Sequence, residues 1–382
     1  MSLAGSVWEQ IRRGRPPDQR VLAEVVDTDV VTLGSAGVSA TRRALEARML
    51  GAGPLEPLLQ DERVTDVAVN GDGSVWVDRG DGMQQVDVDV GGPEVQRQLA
   101  VRLAGLAGRR LDETAPYVDG QLPSGVRLHA VLPPLVAGGP HLTLRVPARS
   151  QPSLEGLGTL GMFPPAWAPV LRAIIENRVA FVISGGTGVG KTTLLAALLG
   201  TAPARQRLVI VEDVRELRVD HAHVVRLEAR PANVEGHGEV TMTTLVRQAL
   251  RMRPDRLIVG EVRGAEVREL LTALNTGHEG GCGTLHANAA PDVVARFEAL
   301  GALAGLDPTA VHTQLASAVC LVLHLRRDVV AGGPRRVIES IGVVRRNRAG
   351  PPEIVTALSQ RGGRTERGPA TADLRQLLDG VA

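Results

Sequence analysis

Aromatic side chains are scarce: the 382-residue chain holds three Trp, three Phe and one Tyr. Its core must therefore be built from Leu, Val, Ala and Ile, and single-stranded nucleic acid binding by base stacking is disfavoured. Cysteine is almost absent. Cys282 and Cys320 alone make no disulfide framework, and a reducing cytosol is the expected compartment. Charge of one sign is lacking too, since 43 basic and 42 acidic residues leave +1. No general basic field exists to neutralise DNA phosphates. No apolar run nears the roughly 18 residues of a membrane-spanning helix, and residues 1–10 carry no apolar signal-peptide core. Glycine and proline, 44 and 24 residues, stay below the share that marks disorder. With 43% hydrophobic residues, a chain of this length suggests two domains.

The sharpest shortage is lysine. Among the 43 basic residues only Lys191 is one, and the rest are arginine. Such a skew speaks of coding bias. A site that keeps lysine against it points to a need for a compact ammonium rather than a guanidinium fork.

Lys191 sits in Gly185-Gly186-Thr187-Gly188-Val189-Gly190-Lys191-Thr192, which fits G-x-x-x-x-G-K-[ST]. A buried-strand pattern at 179–183 precedes it. An apolar helix from Thr193 onward, stopped by Gly200, follows. In this context glycine backbone N–H groups turn onto phosphate oxygens, and the helix N-terminus adds partial positive charge. Lys191 would reach the β- and γ-phosphates of a nucleotide, and the Thr192 hydroxyl would ligate Mg²⁺. A glycine-rich turn capping a helix is the plain alternative, and the flanking strand and helix weigh against it.

Two further strand patterns end in carboxylates. Residues 207–211 lead into Glu212 and Asp213, with Glu216 close behind, and 257–260 lead into Glu261, with Arg263 next but one. Parallel strands present ligand-binding groups at their carboxyl ends. One of these acids would hold Mg²⁺, directly or through water, and another would orient or deprotonate the attacking water. Acidic residues after strands also serve as helix caps.

Residues 276–288 contain His278, Cys282 and His286 among glycines. Their spacing matches no familiar metal site, and the glycines break the helix that would align positions four apart. A turn, a short strand and a loop whose His286 senses the γ-phosphate fit better; a core histidine is the alternative. The remaining histidines show no constellation. A Ras-type GTPase needs a second lysine for base recognition, and no transporter-cassette signature is present. An ATP-driven motor or a small kinase remains.

The expected organisation is α/β. A helical extension, 1–50, precedes an α+β domain at 51–146, with strands at 64–69, 74–78, 126–132 and 141–146 and a helix at 94–107. A Pro/Gly-punctuated linker, 147–165, leads to a parallel α/β domain at 166–330. The tail, 331–382, shows strands at 337–345 and near 354–358 and a last helix at 373–379.

Several ordered motifs then combine: residues 53–59 (Gly-Pro-Leu-Glu-Pro-Leu-Leu), 120–127 (Gly-Gln-Leu-Pro-Ser-Gly-Val-Arg), the phosphate loop, 211–217, 250–263 and 276–288. Together they resemble the traffic ATPases of type II and type IV secretion systems, with the Tad/Flp-pilus branch fitting best. The resemblance implies a RecA-like P-loop ATPase domain preceded by a smaller α+β domain. It implies a homo-hexamer using ATP and Mg²⁺ on inner-membrane platform proteins at the cytoplasmic face of the cell membrane.

Position by position, Gly185 to Thr193 match the nucleotide loop. Glu216 matches the glutamate that readies water, and Glu261 the acid that ligates Mg²⁺ through water. His278 and His286 match the histidine box. Arg127 and Arg145 match first-domain arginines that reach the phosphates, with Arg251 and Arg263 as further candidates. A nucleotide-regulated scaffold and a DNA-transfer ATPase are the competing functions. The low net charge disfavours direct nucleic-acid binding.

Overall fold

The computed structural model describes residues 51–147, 152–230, 232, 237–277, 279–330, 333–347 and 350–379. The expected N-terminal helix and His278 lie outside these. The chain divides into two compact units, Met1–Arg149 and Ser150–Ala382.

The first unit is an antiparallel sheet with a helix on it. Its strands are β1 (Asp66–Val69), β2 (Val75–Asp78), β3 (Met83–Val86), β4 (Tyr117–Gln121), β5 (Arg127–Val131) and β6 (His141–Arg145), in the order β3-β2-β1-β6-β5-β4. Alternation drives it: Val67, Val69, Leu128, Ala130, Leu142 and Leu144 face inward while their neighbours face out. Two helices belong here, α1 (Glu56–Gln60) and α2 (Pro93–Leu106). Leu99 and Leu103 of α2, spaced one turn apart, join this core. The turn between β1 and β2 closes as its sequence requires, with the Gly73 N–H donating to Asn70 O.

The second unit carries nine strands: β7 (Phe181–Gly185), β8 (Leu208–Glu212), β9 (Val224–Glu228), β10 (Arg256–Val259), β11 (Cys282–Leu285), β12 (Leu321–Val330), β13 (Gly333–Arg345), β14 (Glu353–Arg361) and β15 (Arg364–Arg367). Their order is β15-β14-β13-β12-β7-β11-β10-β8-β9. From β9 to β12 the pairing is parallel; β13, β14 and β15 add on antiparallel. The four strands β7, β8, β10 and β11 are buried along their whole length, as continuous apolar runs covered on both faces must be.

One face is covered by α3 (Leu154–Thr159), α4 (Ala168–Glu176), α5 (Lys191–Leu199) and, at the chain's end, α10 (Thr371–Asp379). The other is covered by α6 (Met242–Leu250), α7 (Val267–Asn275), α8 (Asp292–Leu303) and α9 (Pro308–Ala318). No helix among the described residues is long and apolar enough to cross a membrane.

Two segments differ from the sequence reading. Residues 147–165 are more than a linker. They contain α3, capped by the Ser153 hydroxyl accepting from the Gly156 N–H, with Leu154 and Leu157 buried. Residues 331–382 are no separate tail. β13 pairs with β12 on the nine-stranded sheet, and Gln360 Nε2 donates to Met162 O at 3.0 Å and Ile338 O at 2.6 Å. Buried polar groups satisfied in this way tie the segment into the fold.

Candidate active site

β7 ends on Gly185 and α5 begins at Lys191. Two positions in the intervening loop demand glycine. Gly190, the N-cap of α5, has φ +96°. Gly185 has φ +149°, and a Cβ there would lie 2.5 Å from the Leu325 carbonyl oxygen of β12. The loop thus turns sharply against a neighbouring strand and opens onto a helix N-terminus, whose first N–H groups lack intrahelical partners. Thr192 and Thr193 sit half-buried on that first turn.

Lys191 is buried, and its Nζ donates to Gly185 O at 2.9 Å and Gly186 O at 2.7 Å. Burial lowers its pKa, and the Glu261 charge opposes that. The same Nζ lies 3.4 Å from His286 Nε2, which in turn lies 3.4 Å from Glu261 Oε1. Burial also holds His286 below the ordinary histidine range, with Lys191 adding to the effect and Glu261 opposing it. A neutral imidazole follows, able to accept from Lys191 or donate to Glu261 according to its tautomer.

Glu261 follows β10. Its Oε2 accepts from Arg263 Nη2 at 2.6 Å, while its buried Oε1 makes no hydrogen bond among the described residues beyond the 3.4 Å approach of His286 Nε2. Arg263 is in turn held above its usual pKa by that bond. The turn carrying both residues is pinned by Glu266, whose Oε1 accepts from the Arg263 and Gly264 N–H groups at 2.7 and 2.9 Å. Glu266 gives no motif signal; only its burial reveals it.

Glu212, the last residue of β8, and Glu216, four residues on, separate cleanly. Glu212 is buried, and its Oε1 accepts from the Glu216 N–H at 3.0 Å and the Leu217 N–H at 2.8 Å. Burial raises its pKa. Glu212 therefore shapes the turn that presents Glu216, whose charge acts on both Lys191 and Arg263. Glu212→Gln keeps an accepting oxygen and should leave turnover within about threefold of normal. Glu212→Ala leaves two N–H groups unpaired and should cost about 1–3 kcal/mol of stability, read from a denaturant midpoint.

Cys282 is enclosed in the sheet, where burial pushes its thiol up to about 12. It presents no thiolate to a metal. Arg251 follows α6, exposed to solvent. Arg127 and Arg145 stand directly opposite each other on β5 and β6 of the first unit, and Arg145 Nε pairs with Asp66 Oδ1 at 3.0 Å.

His324 corrects the view that the remaining histidines form no constellation. On β12, its Nδ1 is 2.8 Å from Ser184 Oγ of β7, and its Nε2 is 3.8 Å from Glu339 Oε2 of β13. It is fully enclosed one residue from the phosphate loop, and burial lowers its pKa. Chain separation hides this contact from any local pattern.

The geometry is that of a phosphate loop facing acids on neighbouring parallel strands. A family model described as type II/IV secretion system protein matches residues 48–352. The chain belongs to the type II/IV secretion system protein family. A Mycobacterium tuberculosis (strain H37Rv) relative, whose name includes the words conjugal transfer protein, is 51% identical over 348 residues, covering 90% of this chain and 98% of its own. Conjugal transfer protein TrbB of Rhizobium radiobacter is 35% identical over 290 residues, covering 75% of this chain and 85% of its own. The type IV secretion system protein PtlH of Bordetella pertussis is 31% identical over 313 residues, covering 75% and 92%.

The pilus retraction motor PilT, solved with bound ADP, shares the fold of this secretion-family chain at TM-score 0.56 and 20% identity, covering 77% of this chain and 83% of that one. The Legionella pneumophila ATPase DotB does so at 0.54 and 21%, covering 78% and 80%. The expected α/β architecture, a RecA-like domain after a smaller α+β domain, holds for this family member. The relatives support the secretion family as a whole, without singling out its Tad/Flp branch.

Proposed function

We propose that the chain hydrolyses ATP and turns that hydrolysis into motion of a secretion, pilus or transfer machine. The observation that carries this is the convergence of Lys191, His286 and Glu261, with the Glu216 charge acting on the same lysine. The residues fit a magnesium nucleotide. Lys191 spends its protons on two loop carbonyls rather than on a carboxylate, and Glu261 Oε1 is a buried oxygen with no hydrogen bond among the described residues beyond the 3.4 Å approach of His286 Nε2. Mg²⁺ would be held by Thr192 and, through water, by Glu261, and would supply positive charge to neutralise the phosphates.

In this reading Gly185 to Thr193 cradle the phosphates, with Lys191 as the point charge. Glu216 orients and deprotonates water, while neutral His286 reports on the γ-phosphate position to Glu261. Arg127 and Arg145 of the first unit are the arginines proposed to act on the phosphates, and hydrolysis drives the motion of the machine. A homo-hexamer at the inner face of the cell membrane, working on platform proteins, follows from that design. Intact Lys191, Glu216 and Glu261 favour a motor over a nucleotide-regulated scaffold, which could lose any of them.

Motif order along the chain favours pilus assembly of the Tad/Flp type. The names of the relatives from Mycobacterium and Rhizobium favour conjugal transfer. The balanced net charge weighs against direct DNA handling by the chain and so against that second reading. Steady-state turnover of the purified protein, with platform protein and separately with DNA, separates the two. Stimulation by platform protein alone is expected. Stimulation by DNA alone supports the transfer reading, and a fully active monomer by native mass contradicts the ring.

A further inference from the structure

The hairpin of β12 and β13 brings two arginines to the phosphate loop. Leu325 of β12 pairs with Gly185, the last residue of β7, so Arg327 stands beyond it at the carboxyl edge of the sheet. Ligands of open α/β sheets bind along that edge. Arg327 Nη2 lies 3.5 Å from Gly188 O, in the middle of the loop. Arg336 is directly opposite Arg327 across the hairpin, and its Cδ is 3.5 Å from where a Cβ on Gly190 would stand.

Both side chains are exposed. Like charges facing each other across two strands destabilise a hairpin. Nearby arginines have relief: Arg326 pairs with Asp328 and Glu339, and Arg345 with Asp373. Among the described residues neither Arg327 nor Arg336 has such a partner. A local conflict of this kind marks a place where stability yields to binding.

The side of the loop decides which part of a ligand they meet. β7 has β11 on one side and β12 on the other. Glu261 and His286 follow β10 and β11, and the Lys191 ammonium leans toward His286. A nucleotide whose γ-phosphate meets those groups extends across the end of β7 toward β12. We propose that Arg327 and Arg336 grip the α-phosphate of the bound nucleotide from within the second unit. This rests on the nucleotide reading above. One phosphate shared by two guanidinium groups relieves their repulsion and gains charge-assisted hydrogen bonds. ATP and ADP both carry that phosphate, so the contribution is uniform and does not select the transition state.

Calorimetric titration of the full chain and of Arg327→Ala, Arg336→Ala and Arg327→Lys with ATP, ADP and inorganic pyrophosphate tests this, together with kcat and KM. Each alanine variant should weaken ATP and ADP alike by about 10- to 100-fold, the range for bonds to charged groups. KM should rise while kcat stays within about twofold, and Arg327→Lys should retain more affinity than Arg327→Ala. Pyrophosphate, held by Lys191 and the loop, should bind the variants nearly as it binds the parent. Unchanged ATP and ADP affinities would overturn the inference. So would a loss confined to ATP, a loss for pyrophosphate as large as for ADP, or a fall in kcat at constant KM. A parent protein that binds neither ATP nor pyrophosphate removes the nucleotide reading itself; a binding parent with unaltered variants removes only the arginine pair.

Discussion

Lys191→Ala is expected to abolish ATP turnover, lowering kcat/KM by about 10³-fold or more, the scale on which one positive group acts at a phosphoryl transition state. ATP binding should weaken as well. The reason is local. The ammonium is the chain's single lysine, buried at the loop, with carbonyl oxygens at 2.9 and 2.7 Å and His286 at 3.4 Å. Lys191→Arg should fail nearly as badly, because a planar guanidinium cannot occupy a space shaped by those three groups. Steady-state turnover checks both variants, and circular dichroism confirms that each stays folded. Normal turnover in either would remove Lys191 from the phosphate site.

Glu216→Gln should bind magnesium-ATP almost normally yet lose about 10²- to 10⁴-fold in kcat, the usual cost of losing a general base. The comparison with its neighbour makes the test sharp. Glu212 already uses one oxygen on the Glu216 and Leu217 N–H groups and is enclosed, so its amide analogue should remain active. Glu261→Gln should instead change the metal requirement. A dead Glu212→Gln beside a fully active Glu216→Gln would exchange the roles of the two acids.

Much of this site is legible in the amino-acid sequence because its signal is local. Glycines at 185, 188 and 190, the lysine at 191 and the hydroxyl at 192 lie within one turn between a strand and a helix. The acids after β8 and β10 are equally local. What separates Glu212 from Glu216 is not: both lie at the end of the same strand, and only burial shows which one holds the turn. His324 is invisible for a related reason, since its partner Ser184 lies on a strand 140 residues away in the chain. The arginines at 327 and 336 are hidden by abundance, because arginine supplies nearly all the basic residues.

The fold shows the same division. Buried strands such as β8 and β10 announce themselves as apolar runs. β3 and β4 close the two edges of the first sheet, and their exposed Gln84, Gln85 and Tyr117 break the alternation that betrays a half-buried strand. The segment after residue 330 carries no motif, yet Val337, Ile341 and Val343 are buried where β13 lies beside β12. Periodicity reveals those strands; it does not reveal which sheet they join, because pairing partners are set by tertiary packing.

The central claim is that this loop and these acids hydrolyse ATP. The most direct measurement is magnesium-dependent phosphate release from ATP by the purified full chain, with Glu216→Gln run beside it at matched protein concentration. The account predicts steady release by the parent that stops on chelating magnesium, and release by Glu216→Gln lower by about 10²-fold or more while nucleotide still binds. Equal release by the two proteins, or none by a parent that binds magnesium-ATP and its platform partner, would contradict it.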